Sequence, residues 1–183
     1  LGPFLEPDGS ERFRVLEWVR GLLGDLSQTR DTISLLAELN SAIHRTVAYE
    51  RRDDEGVQTA PETLERAAGS CRDMADLFVA ASRHLGLAAR FVSGYLFEPP
   101  PRDGSAAFNR AAGSMHAWAE VYLPGAGWKG FDPTNGILTD HHFITVAVAA
   151  RPHWVSPIQG RYFHDGSVSS EMRVQLRIED LER

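Results

Sequence analysis

The chain has 183 residues, a formal net charge of −6, and 43% hydrophobic and 24% charged residues, the make-up of a globular protein with room for one real core. That charge leaves no basic footprint for nucleic acid or an anionic membrane surface, and no apolar run is long enough to cross a bilayer. The single cysteine cannot close an internal disulfide and suits a reducing compartment, so a cytoplasmic location is expected.

In chain order the first part reads as helical. Pro7-Asp8-Gly9-Ser10 forms a turn, and Ser10 caps a helix that carries Phe13, Leu16, Trp18, Val19, Leu22 and Leu23 and stops at Gly24. A second helix starts near Asp31 or Thr32 with Ile33, Leu36, Leu39 and Ile43 at helical spacing. Both apolar faces are packing surfaces. Val47-Ala48-Tyr49-Glu50 leaves this helix as a short extended piece, and Arg51-Arg52-Asp53-Asp54-Glu55-Gly56 is a solvated loop. Thr59-Ala60-Pro61-Glu62 opens a further short helix, with proline near its first position, that runs to Gly69.

Gly69-Ser70-Cys71-Arg72-Asp73 follows, and the chain's chemistry starts there. Ser70 is an N-cap, and Asp73 can reach back to it as an acidic capping box. Met74, Leu77, Phe78, Ala81 and Leu85 continue at helical spacing, and Gly86 ends the run. Cys71 then lies in the first turn, where unpaired N–H groups and the helix dipole favour thiolate over thiol. Arg72 adds to that effect, while Asp73 and Asp76 oppose it. An arbitrary lone cysteine is usually a small core residue, but one placed just after a Gly-Ser corner is poorly sited for the core.

Beyond this helix the pattern changes to strands. Residues 88–97 are rich in aromatic and β-branched side chains, and Pro99–Gly113 is a long surface loop that could close over a site as a lid. Residues 116–123 and 127–132 flank a Pro124-Gly125-Ala126 turn as an antiparallel hairpin, and 143–148 and 172–178 are further strands. Helices first and strands later predict an α+β fold with an antiparallel sheet. One domain over 1–183 is expected, helical over 1–87 and sheet over 88–183. The chain opens on Leu1 rather than Met and without a signal-peptide pattern, so a processed product or a domain excised from a longer chain is expected.

A nucleophilic thiol needs a base. Pairing about the Pro124-Gly125 turn sets His116 opposite Asp132 as cross-strand neighbours on one face. With Cys71 these supply the nucleophile, base and orienting acid of a cysteine acyl-transfer site. Taken singly, His116 reads as a strand-end polar residue and Asp132, before Pro133, as a turn former. The three together favour chemistry.

Four blocks in order carry a resemblance: Gly69–Asp73, Leu85–Tyr95, His116–Val121 and Gly127–Gly136. From about Tyr49 to Gly160 the chain resembles bacterial transglutaminase-like proteins. The resemblance implies a papain-like fold, with the nucleophile helix packed on an antiparallel sheet, and a Cys71–His116–Asp132 catalytic triad. Two positions depart from it: Met115 stands where a small residue or serine usually precedes the histidine, and Ala150-Arg151-Pro152-His153-Trp154 stands where a Gly-Arg-Asp-Tyr block is common. The activity implied is attack of the Cys71 thiolate on a peptide or glutamine carboxamide carbonyl through a thioester, with a protein or peptide as substrate and no cofactor. The Cys71 N–H would meet the oxyanion with one side-chain donor, for which Tyr49 is the candidate. Tyr95 and Trp118 are candidates to line the acyl tunnel, with core packing as the alternative that strand alternation offers equally.

Two rival readings remain. Asp140, His141, His142, His153 and His164 could bind a metal, but adjacent His141 and His142 point to opposite faces of an extended chain and no helix carries a His-x-x-x-His pair, so no metal is expected. A catalytically silent interaction module could keep the same fold. An intact set of three chemical residues argues against it.

Overall fold

The computed structural model describes residues 1–7, 12–25, 27, 29–52, 54–97 and 115–156, with 160, 163, 165–167, 169 and 171. The Ser10 cap, the Pro99–Gly113 loop, His164 and the strand expected over 172–178 lie outside the described residues.

Helices α1 (Gly2–Leu5), α2 (Arg12–Leu23) and α3 (Thr32–Thr46) come first. The α1 turn is absent from the sequence reading because four residues are too few to show a helical period. Asp31 caps α3, its carboxylate accepting from the Ser34 N–H at 2.7 Å. Strand β1 (Ala48–Tyr49) leads to α4 (Ala60–Arg66), which Thr59 and Glu62 close with a capping box. The α4 helix ends short of the expected Gly69 because Ala67 turns left-handed at φ 48°. This frees β2 (Ala68–Gly69) to pair in parallel with β1, setting Tyr49 beside Gly69.

Helix α5 (Cys71–His84) follows at once and sits at the centre of the molecule. Its C-terminus closes as expected with Gly86 at φ 77°, the Leu87 N–H reaching the Ser82 carbonyl at 3.0 Å. Strands β3 (Ala89–Leu96), β4 (Met115–Leu123), β5 (Gly127–Asp132), β6 (Ile137–Leu138) and β7 (Phe143–Ala149) form one antiparallel sheet in the order β6-β5-β4-β3-β7. A short 3₁₀ turn follows at Pro152–Val155. The α+β arrangement expected from the sequence is therefore the observed one.

Core packing explains why α5 is central. Its Met74, Leu77, Phe78 and Ala81 are buried with Val15 and Val19 of α2, Leu36, Leu39 and Ile43 of α3, and Ala119, Val121 and Phe131 of the sheet. Phe78 stacks on Phe131 with centroids 5.2 Å apart. At the far end of α5, the Arg83 guanidinium donates to the carbonyls of Ala89 (2.9 Å), Ala150 (2.7 Å) and Phe4 (3.1 Å), tying the helix to α1, to the start of β3 and to the residue after β7. The turn that carries Cys71 is thus rooted in the buried core of the described residues.

The β4–β5 register differs from expectation. Leu123 pairs with Gly127 and Ala119 with Phe131, two residues further along than the pairing that sets His116 opposite Asp132. Gly125 and Gly127, at φ 82° and 76°, let the turn close around Gly125 itself. Asp132 therefore falls level with Trp118 and lies diagonal to His116 rather than directly across from it. A shift of two keeps every side chain on its face, and a diagonal neighbour is still within reach.

Gly94 is demanded by packing. It pairs with His116 on one side and Thr145 on the other, and a Cβ there would strike the Ile144 carbonyl oxygen and sit 2.8 Å from Trp118 Cη2. Gly94→Ala is expected to destabilise the protein by about 2–3 kcal/mol through overpacking. Urea unfolding at neutral pH measures this, and a change within experimental error would contradict the packing argument.

Candidate active site

Two buried carboxylates organise the site. The first, Asp73, accepts from the Ser70 N–H at 2.7 Å and Ser70 Oγ–H at 2.8 Å, which is the reach-back half of a capping box. It also takes the Gln58 N–H at 2.7 Å, Gln58 Nε2 at 3.1 Å and Arg52 at 2.8 Å to each oxygen. Burial pushes its pKa up, but the bonds from Arg52, Ser70 and Gln58 outweigh this and hold it below the usual carboxylate value. Asp73 thus locks Arg52 and Gln58 against the turn that carries Cys71. Burial also raises Asp76 to about 7, despite the opposing pull of Arg83. The opposition expected of these two acids to a thiolate is therefore weakened. One is neutralised by Arg52 and the other is partly protonated at neutral pH.

Cys71 is half-buried, packed against Ala75, Phe91, Ala117 and Val155. The parallel β1–β2 pairing brings Tyr49 beside it from a distant part of the chain, with the Glu50 N–H bonded to the Gly69 carbonyl at 2.8 Å. Burial raises the Tyr49 pKa and negative charge at Cys71 raises it further, so the hydroxyl keeps its proton as a donor.

The second buried carboxylate, Asp132, faces His116. His116 Nε2 lies 2.9 Å from Asp132 Oδ2, and both side chains are fully buried. The same oxygen accepts from Asn135 Nδ2 at 2.7 Å, while Oδ1 takes the Thr134 N–H at 2.9 Å and the Asn135 N–H at 3.4 Å. The loop is braced in turn by α3: His44 Nδ1–H donates to the Thr134 carbonyl at 3.0 Å and Asn40 Nδ2 to the Ile137 carbonyl at 3.2 Å. Burial by itself would lower the His116 pKa. The bond to Asp132, the nearby Cys71 sulfur, and the negative charge of both overcome burial and raise it from 6.5 to about 9. With Nε2 committed to Asp132, Nδ1 is the nitrogen left for the sulfur.

Trp118 stacks beside His116 (centroids 6.1 Å) and meets Phe143 edge-on (5.3 Å), and Phe143 lies 6.1 Å from His116. At 1% exposure, Trp118 backs the imidazole from within the core. Tyr95 is half-buried and pairs with Met115, so strand alternation turns it away from the face of His116. The reading of His141 and His142 as opposed on an extended chain is also corrected. The chain turns there, and their rings lie 4.0 Å apart. His153 falls in the 3₁₀ turn against the Trp154 ring at 5.4 Å.

Arg52, Gln58, Thr134 and Asn135 were not singled out from the sequence. For the last two, an Asp followed by Pro-Thr-Asn-Gly is a turn pattern in which the carboxylate gathers the next N–H groups. For Arg52 and Gln58 no local signal exists, because their partner Asp73 lies 21 and 15 residues away.

A family model described as the transglutaminase-like superfamily matches residues 20–133. An uncharacterised protein of Mycobacterium tuberculosis H37Rv is 34% identical over 135 residues, 72% of this chain and 42% of that protein. One from Mycobacterium leprae is 31% identical over 115 residues, 63% of this chain and 39% of that protein. The chain thus spans about two fifths of the length of these curated relatives. A solved structure from Cytophaga hutchinsonii, described as a candidate cysteine protease, superposes with TM-score 0.66 at 24% identity, covering 84% of this chain and 48% of its own. The periplasmic domain of TgpA from Pseudomonas aeruginosa superposes with TM-score 0.54 at 22% identity, covering 72% of this chain and 46% of its own. At such identities these two show the fold alone.

The raised His116 pKa has a consequence for stability. A folded value of about 9 against an ordinary 6.5 means that the folded state holds the proton more tightly. The stabilisation is complete below 6.5 and is lost as pH rises through 9. Between pH 7 and 9.5 the unfolding free energy is expected to fall by about 2 kcal/mol from this group. Urea titrations at the two pH values check it, and His116→Gln should remove most of the fall.

Proposed function

The chain belongs to the transglutaminase-like superfamily, and on that premise we propose that it is a cysteine acyl-transfer enzyme acting on peptide or glutamine carboxamide bonds, with Cys71, His116 and Asp132 as its triad. The observation that carries this reading is the buried His116–Asp132 bond of 2.9 Å, with a His116 pKa of about 9 to which Cys71 contributes. An imidazolium at neutral pH beside the sulfur favours an ion pair in which the thiolate is the nucleophile.

The steps follow from those groups. Cys71 Sγ attacks the carbonyl carbon and the carbonyl π electrons move to oxygen. The oxyanion is met by the Cys71 N–H at the start of α5 and by the Tyr49 hydroxyl. As the C–N bond breaks, His116 gives its proton to the departing amine or ammonia and a thioester remains on Cys71. Water or a primary amine then attacks the thioester and loses a proton to His116. The sulfur leaves as thiolate, and the imidazolium is restored. Asp132, held by Thr134 and Asn135, keeps Nε2 occupied throughout, which leaves Nδ1 for these transfers. Protease or amidase activity follows from water as acceptor, and transamidation from an amine.

Acyl-enzyme trapping tests the proposal. Incubation with peptide and glutamine donors, followed by rapid acid quench and intact-mass analysis, is expected to show a thioester adduct on the wild type and none on Cys71→Ala. The choice of water or amine as acceptor then assigns the reaction. Absence of an adduct with every donor, together with a Cys71 that is alkylated only as an ordinary thiol of pKa about 8.5, would favour a silent interaction module. Tyr49→Phe is expected to lower the acylation rate roughly 100-fold with little change in donor binding, and an unchanged rate would remove Tyr49 from the oxyanion site.

A further inference from the structure

The turn between β6 and β7 takes no part in the acyl-transfer reading, yet it gathers metal-ligand chemistry. Asp140, His141 and His142 each offer one ligand atom, and these atoms all lie within 4.8 Å of one another. The two imidazole centroids are 4.0 Å apart, and His142 Nδ1 lies 3.0 and 3.1 Å from the two Asp140 oxygens. Two imidazoles with one carboxylate suit zinc, cobalt, nickel or copper. Calcium and magnesium prefer all-oxygen sets.

Groups outside the ligand set hold the turn in place. The Phe97 N–H donates to the His142 carbonyl at 2.8 Å, and the Phe97 ring stacks on the His142 ring with centroids 6.4 Å apart. The Phe143 N–H closes the turn on the Asp140 carbonyl at 3.2 Å, and the His142 N–H meets Asp140 Oδ1 at 2.9 Å. With the backbone fixed on both sides, only side-chain torsions adjust when an ion enters. Asp140 and His141 are exposed, so an ion can reach the site without opening the fold and water can complete its coordination.

We propose that Asp140, His141 and His142 form a binding site for a divalent transition ion of the zinc class. The ion replaces the proton between Asp140 and His142 Nδ1 and draws His141 in as the third protein ligand. The site adjoins the candidate catalytic groups without including them. Phe143, the next residue, has its ring 6.1 Å from His116 and 5.3 Å from Trp118.

Cobalt(II) tests this in the full chain carrying Cys71→Ala, where the thiol cannot contribute ligand absorption. A saturable visible d–d band at one ion per chain is expected. His141→Ala and His142→Ala, each added to that background, should weaken cobalt binding at least about tenfold, with the far-UV circular dichroism unchanged. Because the assay lacks the nucleophile and reads no turnover, its outcome is independent of the acyl-transfer reading. No saturable band, or a titration unchanged by both histidine substitutions, would overturn the site.

Discussion

An imidazole and a carboxylate share a dry interior 2.9 Å apart, and much of the molecule serves to make that arrangement stable. Burying either group alone as an ion costs several kcal/mol. Here the cost is offset because Asp132 receives four hydrogen bonds: from His116, the Asn135 side chain and the N–H groups of Thr134 and Asn135. The direction of the His116 shift decides which effect wins. Burial pulls its pKa down from 6.5, yet it stands at about 9, so partner interactions exceed burial by about 3 kcal/mol.

Asp73 and Asp132 are both buried, and their partners give them opposite characters. Asp73 is bound by Arg52, whose charge does not titrate in the working range, and by backbone and amide donors. It is a structural anchor that fastens Arg52 and Gln58 to the start of α5. Asp132 is bound by a group that can gain and lose a proton, and so it takes part in charge movement. The two acids therefore divide the work: one sets where the sulfur stands, and the other sets how the imidazole beside it ionises.

Much of this was legible in the sequence. The Ser70–Asp73 cap, the apolar spacing of α5 and Gly86 located the Cys71 turn to the residue, because helix starts and stops are local signals. The β4–β5 hairpin was also legible, but its register was displaced by two residues because Gly125 and Gly127 allow a wider turn than Pro124-Gly125 suggested. The face assignment survived because side chains alternate with a period of two. What stayed hidden depended on long-range contact. The parallel pairing of Ala48–Tyr49 with Ala68–Gly69, the reach of Arg52 to Asp73, and the bracing of the Asp132 loop by His44 and Asn40 have no local pattern. The surroundings of Trp118 were hidden for a related reason: alternation placed it beside His116 but could not show that Phe143 packs edge-on against it and that it is buried.

The ionisation of His116 is the point on which the account turns, and ¹⁵N NMR of its imidazole across pH 5 to 11 reads it directly. The account predicts that both ring nitrogens stay protonated through neutral pH and titrate near 9, and that Asp132→Asn moves the transition down by two units or more. A transition near 6.5 in the wild type, or one insensitive to Asp132→Asn, would contradict it.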